Sequence, residues 1–364
     1  MIMIKEITIR NFKSITEASL SLGNVNVFIG SNGSGKSNVL EAIAMAASER
    51  SCIIEVKDMI QKGIRIAKPE LMVSSFYGKQ TPHDIIIKFI GQEQETLNLN
   101  IYNLTPTDIY SNWGAKVSPR THRPEHSEEV ENGMKELRKY LSQYLIYSPS
   151  INTLRGLTSE SFQYPLGLYG EGLDVLLNQL PQEEIEEIKQ AAADCIPWIE
   201  DIFFDNEESY KRQGYKLGRS KSNLYFRDKF MQRKNNLFSA ENANEGVLEL
   251  LFFLTLFISS KTPSFFAVDN IENGLNPRLC RSLIKKICSL SVKNKKQVII
   301  TTHNPAILDG LNLSDDTQRL FVIQRNDEGQ TQVKPIRVKP TTDSQMKISE
   351  MWMRGIIGGV PDNF

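Results

Sequence analysis

The chain opens with two β-type patterns followed by a helical one. Residues 2–9 alternate apolar and polar positions, and residues 25–29 form a second short run rich in β-branched and aromatic side chains. Alternation with a period of two is typical of a strand buried on one face. Beyond Gly35, apolar residues recur at helical spacing. The pattern therefore predicts strands, then a glycine-rich loop, then a helix.

The middle of the chain contains successive patterns typical of strands, of a loop and of helices. Runs at 84–90 and 96–102 predict an antiparallel β subdomain. Residues 106–124 are polar and proline-containing without periodicity, which predicts an exposed loop. Apolar residues three and four apart predict helices at 127–147 and 181–193. We assign these helices to an insertion.

Two continuous apolar runs in the C-terminal part, 265–268 and 297–301, are typical of strands covered on both faces. A helical pattern at 277–290 separates them and completes a βαβ unit. The predicted fold is therefore α/β, with a mostly parallel core sheet, an antiparallel β subdomain and a helical insertion. The predicted boundaries are 1–115 for the N-terminal lobe, 116–235 for the insertion with a basic hairpin, and 236–364 for the C-terminal lobe.

Composition narrows the class of protein. With 43 basic and 43 acidic residues among 364, the net charge is zero, which argues against a surface made as a whole for nucleic acid or anionic membrane. The four cysteines form no pair or cluster at metal spacing, so we interpret them as thiols of a reducing cytosol. The longest apolar run, 247–258, is too short to span a bilayer and predicts a buried helix. We expect a cytoplasmic protein without a membrane partner.

The glycine-rich loop carries the clearest chemistry. Residues 30–37 match G-x-x-x-x-G-K-[ST] between a predicted strand and a predicted helix. In this pattern the backbone N–H groups face phosphates, Lys36 adds a positive charge, and the Ser37 hydroxyl binds Mg²⁺. The sequence therefore predicts ATP and Mg²⁺ as cofactors. The predicted ATP contacts here are Gly30, Ser31, Asn32, Gly33, Ser34, Gly35, Lys36, Ser37 and Asn38.

Two further segments supply candidate catalytic groups. Asp269 follows the apolar run 265–268, and we predict that it completes the Mg²⁺ site with Ser37. The next residue, Asn270, stands where many such ATPases have the glutamate that polarises water. An amide cannot accept a proton, so hydrolysis should be slow unless Glu272 acts as the base; whether Glu272 is a base or a solvated loop acid stays open.

A histidine stands just past the next predicted strand. His303 follows Thr301 and Thr302, and Pro305 stops the chain behind it. Since the carboxyl ends of parallel strands meet at one edge of the sheet, His303 should lie beside Asp269. We therefore predict that it contacts a γ-phosphate.

Together these segments resemble the ABC-type ATPase heads of the RecF, SMC and OLD family. The opening residues 9–14, the phosphate loop, residues 244–247, residues 269–277 and Thr302-His303 stand in that family's order. The resemblance implies a P-loop NTPase fold with an ABC-type head. It also implies ATP contacts from Asn11 and Lys13. In such heads two subunits close around ATP, and the signature of one covers the nucleotide of the other.

The signature here is Asn244, Glu245 and Gly246. Asn244 replaces the serine of the family, and the same three residues also suit an ordinary helix N-cap. The glycine still lets the backbone approach a phosphate closely. The resemblance therefore implies a homodimer, and it leaves a higher homo-oligomer open.

The chain is also similar in size and layout to ATPase subunits encoded beside nuclease or toxin genes in antiphage systems such as PARIS and Septu. Short matches at 146–149, 154–156 and 352–361 carry this second resemblance. No long heptad stretch lies between the phosphate loop and the signature, so we expect no coiled-coil bridge. We also expect no nuclease domain after His303 and thus a separate effector.

Nine basic residues lie in the segment from Lys211 to Lys234 against the single acid Asp228, and Tyr215, Tyr225 and Phe226 are interleaved with them. That composition suits a groove for a phosphate backbone. We favour an antiparallel hairpin with inward-packed aromatics, because the overall charge is balanced. Nucleic acid therefore stays open as a partner.

These features favour a dimeric ATPase subunit with slow hydrolysis that senses a trigger and controls a nuclease or toxin in antiphage defence. The alternative is a RecF-like repair protein that binds DNA in an ATP-dependent way. A third hypothesis, a scaffold that binds ATP without turnover, follows from Asn270. A neighbouring effector gene would favour the first, and ATP-dependent duplex binding would favour the second.

Overall fold

The computed structural model describes residues 2–106, 108–118, 128–158, 165–337 and 346–360. In chain order its strands are β1 (Ile4–Phe12), β2 (Ile15–Ser21), β3 (Val25–Ile29), β4 (Ile53–Ile54), β5 (Asp84–Gly91), β6 (Thr96–Asn103), β7 (Trp113–Ser118), β8 (Ile146–Tyr147), β9 (Ile199–Phe204), β10 (Leu224–Asp228), β11 (Leu237–Ser239), β12 (Phe265–Val268), β13 (Gln297–Thr301), β14 (Gln318–Arg325) and β15 (Thr331–Ile336). The helices are α1 (Lys36–Ala47), α2 (Val56–Gln61), α3 (Pro69–Met72), α4 (Glu128–Ser142), α5 (Ile151–Leu154), α6 (Leu173–Asn178), α7 (Gln182–Cys195), α8 (Ser209–Arg212), α9 (Glu245–Ile258), α10 (Pro277–Lys293), α11 (Pro305–Leu308) and α12 (Ile348–Met353).

The central layer is a sheet with the strand order β15-β14-β3-β13-β12-β8. From β14 to β8 the neighbouring strands run parallel, whereas β15 pairs antiparallel with β14 at the edge. Every residue of β3 and β13 is buried, as expected for strands covered on both faces. The predicted mostly parallel core sheet is confirmed.

The two faces of this sheet enter two different cores. On β3, Phe28 joins the core around α1, while Val25, Val27 and Ile29 join the core around α9. Successive strand residues point to opposite faces, which produces this split. Helix α1 packs between the core sheet and the antiparallel sheet β2-β1-β5-β6-β7-β4. The predicted antiparallel subdomain is therefore also confirmed.

Helix α9 is the predicted buried helix. From Gly246 to Ile258 all of its residues are buried. A helix that is apolar on every side needs such surroundings, because no face suits water. No helix among the described residues is long and apolar enough to cross a bilayer.

One predicted helix ends earlier than its sequence pattern. Helix α4 stops at Ser142, and Ile146 and Tyr147 form β8, which pairs with β12 at the edge of the core sheet. Apolar spacing continues through Leu145, so the pattern alone does not mark the change. The predicted insertion 116–235 thus includes a strand of the core sheet. The predicted exposed loop 106–124 is wrong at 113–118, which form β7 and pair with β6, with Trp113 and Ala115 buried. The polar composition of the segment hides this strand, which is held by pairing with β6. Residues 107 and 119–124 lie outside the described residues, as does Pro361 of the 352–361 match.

The basic segment forms the expected antiparallel structure. Strands β9, β10 and β11 make a small sheet in which Tyr225 and Phe226 are buried. The Tyr225 ring stacks on Phe203 with centroids 6.0 Å apart. These two aromatic residues are core residues, which confirms the inward-packed hairpin.

Candidate nucleotide site

The phosphate loop joins β3 to α1 and is confined on one side only. A Cβ on Gly30 would lie 2.0 Å from the Ile323 carbonyl oxygen, and one on Gly35 would lie 2.1 Å from Thr331 Oγ1. Both glycines also have positive φ, so a side chain there is disfavoured by the backbone conformation as well as by the close contacts. A Cβ on Gly33 would meet nothing within 4 Å. The loop therefore rests on the β14–β15 hairpin and presents its other side to a ligand.

A chain of hydrogen bonds fixes the loop to the turn between β1 and β2. The Asn38 amide donates to Ser14 Oγ at 2.6 Å, and Ser14 Oγ lies 2.7 Å from Thr331 Oγ1. Thr331 Oγ1 in turn donates to the Ser34 carbonyl at 2.9 Å. Asn38, a predicted ATP contact, thus holds the loop through its side chain.

The polar groups of the loop fit a phosphate ligand. Helix α1 begins at Lys36 without a side-chain cap, which leaves N–H groups of its first turn free for an anion. Lys36 Nζ donates to the carbonyl oxygens of Gly30 and Ser31 at 2.9 and 3.0 Å. Ser34 Oγ is buried without a hydrogen-bond partner. Burial lowers the pKa of Lys36 to about 8, against the opposing charges of Asp269 and Glu272.

The two predicted metal ligands lie together. Ser37 Oγ donates to Asp269 Oδ2 at 3.2 Å, and Thr301 Oγ1 donates to Asp269 Oδ1 at 2.5 Å. Thr301 Oγ1 also accepts from the Asn270 N–H at 2.9 Å, where Asn270 has a φ of 56°. The described residues contain no cluster of three His, Cys, Asp or Glu side chains suited to a metal. Mg²⁺ would therefore use Ser37, Asp269 and phosphate oxygens, the oxygen-rich set that it prefers.

Glu272 and His303 are joined by a hydrogen bond. Residues 269–276, here called the carboxylate loop, lie beside residues 301–305, the histidine segment. Glu272 Oε1 accepts from the His303 backbone N–H at 2.7 Å, while Glu272 Oε2 is buried without a partner. Burial and then the charge of Lys36 lower the pKa of His303, so its imidazole is neutral at pH 7. Glu272 therefore fixes the backbone of the histidine segment through Oε1, and its Oε2 atom makes no hydrogen bond.

Asn11 and Lys13 have their side chains engaged within the chain. The Asn11 amide donates to the Asp84 carbonyl at 2.9 Å, and Lys13 Nζ pairs with the Glu41 carboxylate at 2.5 Å. Their ATP contacts stay predictions.

The sequence analysis missed Glu41 and Arg65. Glu41 is 2% exposed and also accepts from Arg65 Nε at 2.5 Å. Both residues line a cavity of about 180 Å³ together with Ser37 and Asp269. Glu41 stands four residues after Ser37 on α1 and so shares its helix face, a spacing that points toward it. Nothing in the sequence near Arg65 points to this site.

The signature segment, Asn244 to Gly246, lies at the start of α9, where Asn244 and Glu245 are exposed and Gly246 is buried. Asn244 Oδ1 accepts from the Gly246 N–H at 2.9 Å, which confirms the helix N-cap. Asn244 and Gly246 line a pocket of about 470 Å³ with Trp198, Gly274 and Arg278, among others. None of the described residues that line this pocket belongs to the phosphate loop. The signature therefore lines a pocket to which the phosphate loop does not contribute.

Fold and site define an ABC-type P-loop ATPase fold of the kind seen in SMC heads. Residues 3–165 match the family described as "AAA ATPase domain". Residues 183–309 match the one described as "AAA domain, putative AbiEii toxin, Type IV TA system".

Known proteins extend this likeness. The chain is 26% identical over 157 residues to the DNA replication and repair protein RecF of Clostridioides difficile, covering 39% of this chain and 41% of that protein. It is 22% identical to an ATP/GTP phosphatase of Helicobacter pylori, covering 90% and 94% of the two chains. An Smc head domain derived from Pyrococcus furiosus has a TM-score of 0.56 at 13% identity, covering 93% and 97%. The chain spans less than half the length of the first two curated relatives that it matches. These matches show an ABC-type fold and a likeness to ATPase domains and to RecF.

Lys36 should make ATP binding depend on pH. Because phosphate binding needs the charged ammonium, we expect the Kd for Mg·ATP to rise about tenfold per pH unit above about 8. Lys36→Ala should abolish detectable binding, since its donors serve the phosphates directly. Titration calorimetry at pH 7, 8 and 9 measures both effects.

Lys36→Arg is the matched control, because arginine stays charged over this range. Its Kd should change less between pH 8 and 9 than that of the parent. An equal pH dependence in both proteins, or tight binding by Lys36→Ala, would contradict the assignment.

Proposed function

We propose that this chain is a slow ATPase that works as a pair of heads, closes around two ATP molecules and controls a separate effector protein, a nuclease or toxin, in antiphage defence. The observation that carries the proposal is the separation of two half-sites. Lys36, Ser37 and Asp269 lie together, whereas the signature lines a different pocket of the same chain, with Asn244 and Glu245 exposed. A second copy can bring its signature to the phosphates that the first copy holds.

In the proposed site, each group of this chain has a defined task. Lys36 and the uncapped N–H groups of α1 bind the phosphates. Mg²⁺, when bound, neutralises charge on the phosphates. Ser37 and Asp269 supply its protein ligands, and Thr301 fixes the orientation of Asp269.

The contacts of Asn270 and Glu272 support slow turnover. Asn270 can orient a water but cannot take its proton. Glu272, the remaining carboxylate, is already used by the His303 backbone N–H. Only its second oxygen, which is buried without a partner, is left to receive a proton. Slow hydrolysis suits a protein whose ATP state must last while it restrains a partner.

The match of residues 183–309 to the AbiEii description supports a toxin-related setting. The matches to RecF support the second candidate, an ATP-dependent DNA-binding repair protein. Tyr225 and Phe226 of the basic segment are buried and cannot stack on bases, which argues against DNA binding by that segment. We therefore favour control of an effector protein over DNA repair as the function of this chain.

The role of Glu272 is tested by two substitutions. Glu272→Gln keeps a hydrogen-bond acceptor for His303 but removes the base, so hydrolysis should fall by about a hundredfold to ten-thousandfold while ATP binding persists. Asn270→Glu should speed hydrolysis and shorten the life of the closed pair. Steady-state phosphate release measures both.

Glu93→Gln, at an exposed turn, is the matched control and should leave the rate unchanged. Fast turnover by the parent that is indifferent to Glu272→Gln would remove Glu272 from the mechanism.

The partner class is tested by isolating the chain from its native cell. We expect a nuclease or toxin to copurify, and to be released when ATP is hydrolysed. In parallel, duplex DNA binding is measured at two salt concentrations with and without ATP. Salt-dependent, ATP-dependent duplex binding with no protein partner would favour the RecF-like alternative instead.

A further inference from the structure

Glu249 is a buried acid that the proposed mechanism does not use. It lies on α9, one turn inside the signature segment, and is 3% exposed. Its Oε2 atom is buried without a hydrogen-bond partner. A charge in such surroundings is costly. Burial, followed by the charge of Glu245, raises the pKa of Glu249 to about 8, so its carboxyl is protonated at neutral pH.

The Glu249 carboxyl packs against the carboxylate loop. A Cβ on Gly274 would lie 2.4 Å from Glu249 Oε1 and 2.6 Å from Oε2. Gly274 has a φ of 69°, so both the backbone and the available space require glycine. The signature helix and the loop therefore meet at this contact.

The same loop reaches the histidine segment. Two residues before Gly274, Glu272 holds the His303 N–H at 2.7 Å. The contacts thus run without a gap from the signature helix through Glu249 and the carboxylate loop to His303. One end of this series would face the ATP of a second copy, and the other end would face the chain's own ATP.

We propose that Glu249 is a positioning residue that couples the signature segment to the histidine segment, and that this coupling requires its carboxyl in the neutral form. The inference rests on the proposed function, because it takes the signature to meet the nucleotide of a second copy. It adds to that function a proton-dependent link between the two ATP sites.

The surroundings explain why ionisation would break the link. The ionisable groups that interact with Glu249 are Glu245 on its own helix and Cys280 on α10. Burial and then the charges of Glu272 and Glu249 raise the pKa of Cys280 to about 12, so it stays a thiol. Arg155 lies 3.9 Å from Glu245 and engages that acid. An ionised Glu249 would be repelled by its neighbours and would displace Gly274 to reach water.

The first test measures stability and needs no nucleotide. Unfolded Glu249 loses its proton near pH 4.5, whereas the folded residue keeps it up to about pH 8. Its contribution to stability is therefore fully present below about 4.5 and is lost as the pH rises to about 8. Glu249→Gln lacks this loss, so its Tm relative to the parent should increase from pH 5 to pH 8 and then level off.

Glu200→Gln, an exposed acid on β9, is the control and should show no such trend. If the Tm difference between Glu249→Gln and the parent is as independent of pH as that of the control, Glu249 is not a buried neutral acid.

The second test measures coupling at saturating Mg·ATP. For each protein the readout is the ratio of its own hydrolysis rates at pH 9 and pH 7. About a tenth of Glu249 is protonated one unit above its pKa, so the ratio of the parent should be about tenfold lower than that of Glu249→Gln. Lys36 also titrates in this range, and the Glu200→Gln control, which keeps both Lys36 and Glu249, should show the same ratio as the parent.

Gly274→Ala tests the contact itself. The added Cβ should displace the carboxyl and lower the rate at pH 7, and Glu249→Ala in the same chain should cause little further loss, because the contact is already broken. Additive losses would show that the two residues do not act through their contact.

The outcomes separate this inference from the proposed function. If the parent binds ATP, pairs and hydrolyses it, but parent and Glu249→Gln share one pH ratio, only the coupling role of Glu249 is wrong. If the parent neither binds ATP nor pairs, the proposed function fails, and the coupling fails with it.

Discussion

The site depends on one carboxylate, that of Asp269. It accepts a hydrogen bond from Ser37, on the helix after the phosphate loop, and another from Thr301, at the end of β13. Three segments that are distant in sequence are thereby held at one edge of the core sheet. A carboxylate with hydrogen-bond donors on both oxygens is held in one orientation, which a Mg²⁺ ligand needs.

The parallel order of β3, β13 and β12 makes this meeting unavoidable. Parallel strands end at the same edge, so the phosphate loop, the carboxylate loop and the histidine segment leave the sheet side by side. The β14–β15 hairpin then closes the back of the phosphate loop through Thr331. Rigid elements thus position every candidate group, which is what phosphate chemistry requires.

The sequence predicts the parts of this arrangement that rest on local patterns. The phosphate loop, Asp269 and the buried strands follow from motif spacing and apolar runs, and the mostly parallel core sheet follows from the βαβ unit. Glu41, Arg65 and the contact between Glu249 and Gly274 could not be predicted, because each depends on residues that only the fold brings together. Strand β8 was not predicted for a related reason, because its two residues form a strand only by pairing with β12.

The central claim is that ATP joins two copies through the signature. The direct measurement is the mass of the chain in solution, with and without Mg·ATP, for the parent and for Gly246→Asp. A Cβ at Gly246 would have neighbours at 3.3 and 3.4 Å, so the fold can take a side chain there with small shifts. The new carboxylate would repel the phosphates of the facing copy. We predict that ATP doubles the mass of the parent and that Gly246→Asp binds ATP as a monomer; a parent of unchanged mass, or ATP-dependent pairing by the variant, would contradict the account.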